Sequence, residues 1–282
     1  MTRPHIGTQP RGMVLIAVLW IVAALAVLVT GASHAVRDNV RIVSLARQGV
    51  VAQALGDGAI ELVLQQMAAL PTPLAVLSVI DANYRSTPIS VEIVPVNGLI
   101  DVNAAPPPLL AALYRIAGGL APPAAEALAL ATETVRTQKD ARGRAIGFEA
   151  TEDLLRVPGL DYPLFARIAP LVTADLRGSG RVNPLAAPLP VLVVLAGGDL
   201  GKAQAIAAGR SAGRVGIDTT GLEAGFIDGG AGSRYRVRAR VPLASGGFAL
   251  IGRGVNLRFS AQSGLPWTTF HKSRRIEAVP GG

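Results

Sequence analysis

The chain opens with a polar stretch and then runs unbroken apolar from Met13 to Val29, with no formal charge anywhere in the 24 residues from Met13 to Val36. Coiled as a helix, those residues reach about 36 Å, more than a hydrocarbon core of about 30 Å requires. Arg3 and Arg11 precede the run and no acid appears before Asp38, so the positive-inside rule keeps residues 1–12 in the cytoplasm and exports the rest. Past the apolar run the helical period continues to about Leu70, through Val40, Val43, Ala46 or Val50, Ala54, Ile60, Val63 and Met67. Gly56 and Gly58 weaken it, and Pro71 and Pro73 end it. The pattern predicts one long helix, apolar in its first half and amphipathic in its second.

Strand-like alternation follows over Ile89 to Val96. Asn97-Gly98 is a turn signal, and Leu99-Ile100-Asp101-Val102-Asn103 leads through Ala104-Ala105-Pro106 into a helix carrying Leu109, Leu110 and Leu113. Eighty-two residues later the same grammar returns as Gly180-Arg181-Val182-Asn183-Pro184-Leu185-Ala186-Ala187-Pro188, then Leu192 and Leu195. Without a gap, seven of sixteen positions are identical. Asp101 and Asn183 can turn the chain off a strand, and proline suits a first helical turn because its missing N–H has no partner there. Two copies favour a duplicated strand-to-helix element over chance punctuation.

Between the copies the pattern is nearly all helical: 107–117, 122–138, and a pair over about 151–175 that reads as helix, Pro158-Gly159 hairpin, helix. The C-terminal part is strand-rich. Arg234 to Val241 places Tyr235, Val237, Ala239 and Val241 on one face and four arginines on the other, and Phe248–Phe259 and Leu265–His271 are two further strand candidates. The expected class is α+β: a long N-terminal helix plus an antiparallel sheet, interrupted by an inserted all-helical domain. The boundaries are a leader at 1–12, a membrane half-helix at 13–36, the exported helix and first strands at 37–103, the helical insert at 104–176 and the rest of the body at 177–282.

Composition narrows the chemistry. The 282 residues include no cysteine, which excludes disulfides, thiolate metal sites and cysteine nucleophiles. The formal charge of +8 raises nucleic acid as a partner. The basic residues come in no blocks, though, and only Lys139, Lys202 and Lys272 are lysines, so a solvated surface is favoured. The 151–168 hairpin looks like the DNA-binding helix-hairpin-helix unit, in which a second glycine after the turn and exposed N–H groups hold phosphate. Asp161 stands in that glycine's place, and Arg156 and Arg167 compensate only modestly. His5, His34 and His271 form no catalytic constellation, so an enzyme is not expected. Asp199, Asp218, Glu223 and Asp228 fall in a glycine-rich region with a spacing that matches no metal motif; they read as surface carboxylates, leaving any metal site unknown and no cofactor assigned. Thr30-Gly31-Ala32-Ser33 could imitate a signal-peptidase site, but Arg11-Gly12-Met13 sits before the apolar helix, where a cut would leave the helix attached.

That junction, the long helix and the export topology resemble the type IV pilin and pseudopilin superfamily. Within it the chain is similar to the protein K family of type II secretion minor pseudopilins, on Arg11-Gly12-Met13, Gly98 to Pro106, Phe148 to Pro170, Gly180 to Pro188 and Ser233-Arg234-Tyr235; Thr72–Thr87 and Gly197–Gly232 match loosely. The resemblance implies cleavage by prepilin peptidase between Gly12 and Met13, methylation of the Met13 amine, and a pilin-like body with a helical insert held in the periplasm by a single inner-membrane pass. It implies other minor pseudopilins at the pseudopilus tip, the peptidase and the inner-membrane secretion platform as partners, and export across the outer membrane as the process served. Ala17 holds the fifth position after the cut, where most pseudopilins carry glutamate; its lack marks the tip subunit. The family's first Asn-x-Asn appears here as Asp101-Val102-Asn103, followed by Pro106, and its second as Asn183-Pro184-Leu185, followed by Pro188. Structural calcium occurs in the wider group and is unassigned here. The alternative is a membrane-anchored helix-hairpin-helix DNA-binding protein of a DNA-uptake apparatus.

Overall fold

The computed structural model describes residues 11–174, 178–244, 246–258 and 264–277; inside the first helix, side chains are described at 16–23, at 25 and from 46 onward. Helix α1 is Arg11–Ala68. Contacts divide the chain into two units, the first ending at Ala52. The described part of that first unit is helix, and its residues Ile16, Leu19, Trp20 and Leu25 are exposed. Among the described residues no helix is long and apolar enough to cross a membrane. Much of the predicted span, 13–36, and the leader residues 1–10 lie outside the residues whose side chains are described.

In the second unit the end of α1 lies on a five-stranded antiparallel sheet built from β1 (Ser78–Tyr84), β2 (Thr87–Pro95), β5 (Arg234–Pro242), β6 (Phe248–Asn256) and β7 (Thr268–Glu277), in the order β1-β2-β5-β6-β7. Register aligns the apolar faces: Val91 opposes Ala239, Ile93 opposes Val237, and Ala239 opposes Ile251. Those residues are buried with Ile60, Val63, Leu64 and Met67 of α1. The glycines that looked like weak points in the helix have a packing reason. A Cβ on Gly56 would strike the Ile251 side chain, and one on Gly58 would strike the Tyr84 ring, so the bare backbone lets α1 settle on the sheet. Arg253 fastens the contact, donating to Asp57 Oδ1 at 3.0 and 2.7 Å and to Glu61 Oε2 at 2.8 Å.

Adjacent strands β2 and β5 (Pro95 opposes Tyr235) enclose residues 96–233 between them, and these form a second core. This insertion holds the parallel pair β3 (Ile100–Asp101) and β4 (Val172–Thr173), with α2 (Pro107–Ile116), α3 (Pro122–Thr137), α4 (Tyr162–Ile168), α5 (Leu189–Leu195) and α6 (Leu200–Ser211). The predicted helix pair over 151–175 is shorter than expected: Thr151–Arg156 is a 3-10 turn, Tyr162–Ile168 alone is α-helical, and the chain passes through Ala169–Leu171 into β4. The last strand begins at Thr268 and not Leu265, and reaches Glu277.

Candidate functional site: the duplicated turns

The two motif copies fold alike. In the first, Asp101 Oδ1 accepts the Asn103 N–H at 3.0 Å, and the Asp101 carbonyl accepts the Ala105 N–H at 2.7 Å. In the second, Asn183 Oδ1 accepts the Leu185 N–H at 3.0 Å, and its carbonyl accepts the Ala186 N–H at 3.1 Å. Pro106 and Pro188 then stand extended before α2 and α5, with φ, ψ of −67°, 150° and −60°, 155°. Each prolyl ring fixes φ and forfeits an N–H that the helix start could not pair. The following helix in each copy sends an arginine back to the turn: Arg136 donates to the carbonyls of Val102 at 3.2 Å and Ala105 at 2.7 Å, and Arg210 to those of Leu185 at 3.2 Å and Ala187 at 2.6 Å. Burial lowers the Arg210 guanidinium below its ordinary value, and the charge of Glu92 partly offsets that.

The amides act as clamps. Asn103 Nδ2 donates to the carbonyls of Phe148 at 2.9 Å and Ala174 at 3.3 Å, while its Oδ1 accepts the Phe148 N–H at 2.8 Å. Asn183 Nδ2 donates to Ala75 at 2.8 Å and Gly230 at 2.9 Å. Each therefore ties its own turn to two segments distant in the chain. The copies also pack on each other reciprocally. A Cβ on Gly98 would fall on the backbone of Ala186, and a Cβ on Gly180, where φ is +74°, would fall on that of Ala104, the equivalent alanine. Reciprocal contact of equivalent residues is the signature of self-complementary packing, here within one chain. It extends to the ladders, since Ile100 runs parallel to Val172 and Val182 parallel to Ile227.

Pro158 and Gly159 form the hairpin turn, with Gly159 at φ +88°. Asp161 Oδ1 accepts the Leu164 N–H at 2.9 Å and so occupies the amide at the start of α4 that a phosphate would use. Arg167 is spent on the Gly118 carbonyl at 2.7 Å, and Arg156 lies 3.9 Å from Asp153. Two of the carboxylates read as surface groups have local duties. Asp199 caps α6 through the Lys202 N–H at 3.1 Å, and Asp218 accepts from Thr220 N–H at 2.9 Å and hydroxyl at 2.7 Å. Those hydrogen bonds hold both carboxyls below their ordinary values. Among the described residues no group of three or more His, Asp or Glu is placed to hold a metal. Gly12 and Met13 lie on α1 with side chains outside the described residues, and Ala17 lies exposed on the same helix.

Sequence reasoning missed the returning arginines because α2 and α3 are longer than α5 and α6, which ends the ungapped correspondence before Arg136 and Arg210. It also missed Asn97, whose Nδ2 donates to Gly230 at 2.8 Å, and the Tyr235 hydroxyl, which donates to Gly232 at 2.8 Å and Leu74 at 3.1 Å. The signal for Tyr235 was its buried strand position, which a phenol occupies only with a partner for its hydroxyl.

No family model and no curated protein matches the chain. Among solved structures it is similar to a chain of the GspK-GspI-GspJ complex of the type 2 secretion system of enterotoxigenic Escherichia coli, with a TM-score of 0.50 and 12% identity over 84% of this chain and 99% of that chain. The likeness is one of fold: a long N-terminal helix on an antiparallel sheet, with helices inserted between strands.

Proposed function

We propose that this chain is a minor pseudopilin of a type II secretion system that caps the pseudopilus tip and helps start its assembly for export across the outer membrane. The observation that carries the reading is the interrupted body, in which neighbouring strands β2 and β5 enclose residues 96–233. Supporting it are the fold likeness to a chain of a type 2 secretion complex and the Arg11-Gly12-Met13 junction ahead of an apolar helix. On this reading residues 13–36 anchor the protein in the inner membrane, the body lies in the periplasm, and the partners are other minor pseudopilins, prepilin peptidase and the inner-membrane platform. The duplicated turns are structural and perform no chemistry. The DNA-binding alternative loses ground because Asp161 already fills the α4 amide.

Intact-mass analysis of the protein from cells with and without prepilin peptidase tests the first step. The expected product lacks residues 1–12 and carries a methyl group on the Met13 amine. A mature chain beginning near Ser33 would mean signal-peptidase cleavage and end the pseudopilin reading.

A further inference from the structure

Strand β7 closes the sheet, and all ten of its residues, Thr268–Glu277, are exposed. Its inner side pairs with β6 from Phe248 opposite Glu277 to Asn256 opposite Thr268, and among the described residues no strand lies on its outer side. The one irregularity, between Gly254 and Val255, falls near the start of the pairing and leaves His271 to Glu277 in regular register. A regular edge of this length presents a row of N–H and C=O groups with the spacing that another strand needs.

Its charge says what kind of strand. Register sets Arg274 opposite Ile251 and Lys272 opposite Arg253, on the face covered by α1, and Arg275 opposite Leu250, on the other face, where Leu250 also opposes Arg240. Cations thus flank the edge on both faces within four residues. Arginines nearer the centre of the sheet are already partnered: Arg253 with Asp57 and Glu61, Arg238 with Glu92. Among the described residues Lys272, Arg274 and Arg275 make no ion pair, and Lys272 acts on Asp57 only through space. Edge protection alone does not account for this. The opposite edge, β1, has seven residues and a single charge, Asp81, so the sheet does not guard its two edges alike.

We infer that the outer edge of β7 receives an extended acidic segment of another protein, which joins the sheet as a sixth strand with carboxylates opposite Lys272, Arg274 and Arg275. Backbone hydrogen bonds hold the segment, and opposite-charge cross-strand pairs select it. A second copy of β7 is disfavoured at the same edge because it would set like charges against one another. The inference rests on the sheet alone and stands without the pseudopilin reading.

The test uses the full-length chain in detergent, with a ten-residue peptide of valine and threonine around a central Glu-Glu-Val-Glu as probe, which puts carboxylates on both faces of the added strand, and the same peptide with Lys-Lys-Val-Lys as control. The expected result is slowed amide exchange across 268–277 with the acidic peptide only. Reversing the charges (K272E, R274E, R275E) should weaken binding about tenfold or more and transfer the preference to the lysine peptide. The corresponding triple glutamine variant should bind both peptides alike and more weakly than the parent binds the acidic one, and it replaces the reversed chain if that chain fails to fold. Binding without slowed exchange in β7, equal binding of both peptides by the parent chain, indifference to the substitutions, or dimerisation through β7 would each overturn the inference.

Discussion

Arg253 shows how much can hang on one side chain. It sits on β6 with 13% of its side chain exposed and holds two carboxylates of α1, each about a third exposed (32% for Asp57 and 37% for Glu61). Charged hydrogen bonds of this kind are worth about 1.5–3 kcal/mol when buried, and solvent screening of the half-open carboxylates reduces that. Arg253→Met should therefore cost about 1–2 kcal/mol in denaturant melts. The same contact has a pH signature. Burial would raise the Asp57 carboxyl, but hydrogen bonds from Gln53 and Arg253 and the charges of Arg253 and Lys272 outweigh it and hold the group below its ordinary 3.8. A depressed carboxyl adds stability that is fully present above its unfolded value and is lost as pH falls through the lower folded value. Melting from pH 7 to pH 2 should show an acid-side loss that is smaller in Arg253→Met than in the parent. Equal slopes would mean that Arg253 does not set the Asp57 titration.

At the scale of elements, the reciprocal packing of the two turns makes a graded prediction. Gly180 has φ +74° and its Cβ would strike Ala104, whereas Gly119 has the same φ and nothing within 4 Å. Gly119→Ala therefore measures the backbone penalty alone, about 1 kcal/mol, and Gly180→Ala adds a steric clash with backbone worth about 1–3 kcal/mol more. Urea melts should rank Gly180→Ala as the more damaging, with Gly98→Ala also destabilising at an ordinary φ. A reversed rank would show that the copies can part at no cost. These turns also mark what a sequence can disclose. The repeat was readable because both copies use the same residues at the same spacing; β5 was readable because its burial alternates along the whole strand, β2 because it alternates from Ile89 to Ile93, and α1 from its apolar run and the helical period that follows. Strand β1 was not read, since its residues are half-buried or exposed and it lies at the sheet edge. The extent of β7 was misread for a related reason: with all ten residues exposed, TTFHKSRRIE has no apolar alternation to reveal it. Helix α6 escaped notice because Gly201 and Gly209 interrupt it and its buried positions are only Ala203, Ile206 and Gly209. The clamps of Asn103 and Asn183 could not be read at all, because their partners are backbone carbonyls 45 to 108 residues away.

For the whole molecule the question is where it stands in an assembly, and in the proposed reading Ala17 bears on that. When a pseudopilin enters below an existing subunit, the N-terminal amine of that upper subunit comes to lie against the entering chain's apolar helix, where an unpaired ion costs several kcal/mol. Glutamate at the fifth position of the neighbour below would lower that cost by pairing with the amine of the subunit above. A tip subunit meets no such amine, so a carboxylate at residue 17 would be unpaired in apolar surroundings. Alanine carries no such charge and disfavours a place along the shaft. Ala17→Glu should therefore leave leader cleavage intact, as read by intact mass, without improving secretion when it complements a deletion strain. Cross-linking should find the parent protein with two other minor pseudopilins at one end of the pseudopilus, and assembly should start poorly without it. If the parent were found regularly along the shaft, or if pseudopili began normally in its absence, the protein would be an ordinary subunit and the tip role would have to be given up.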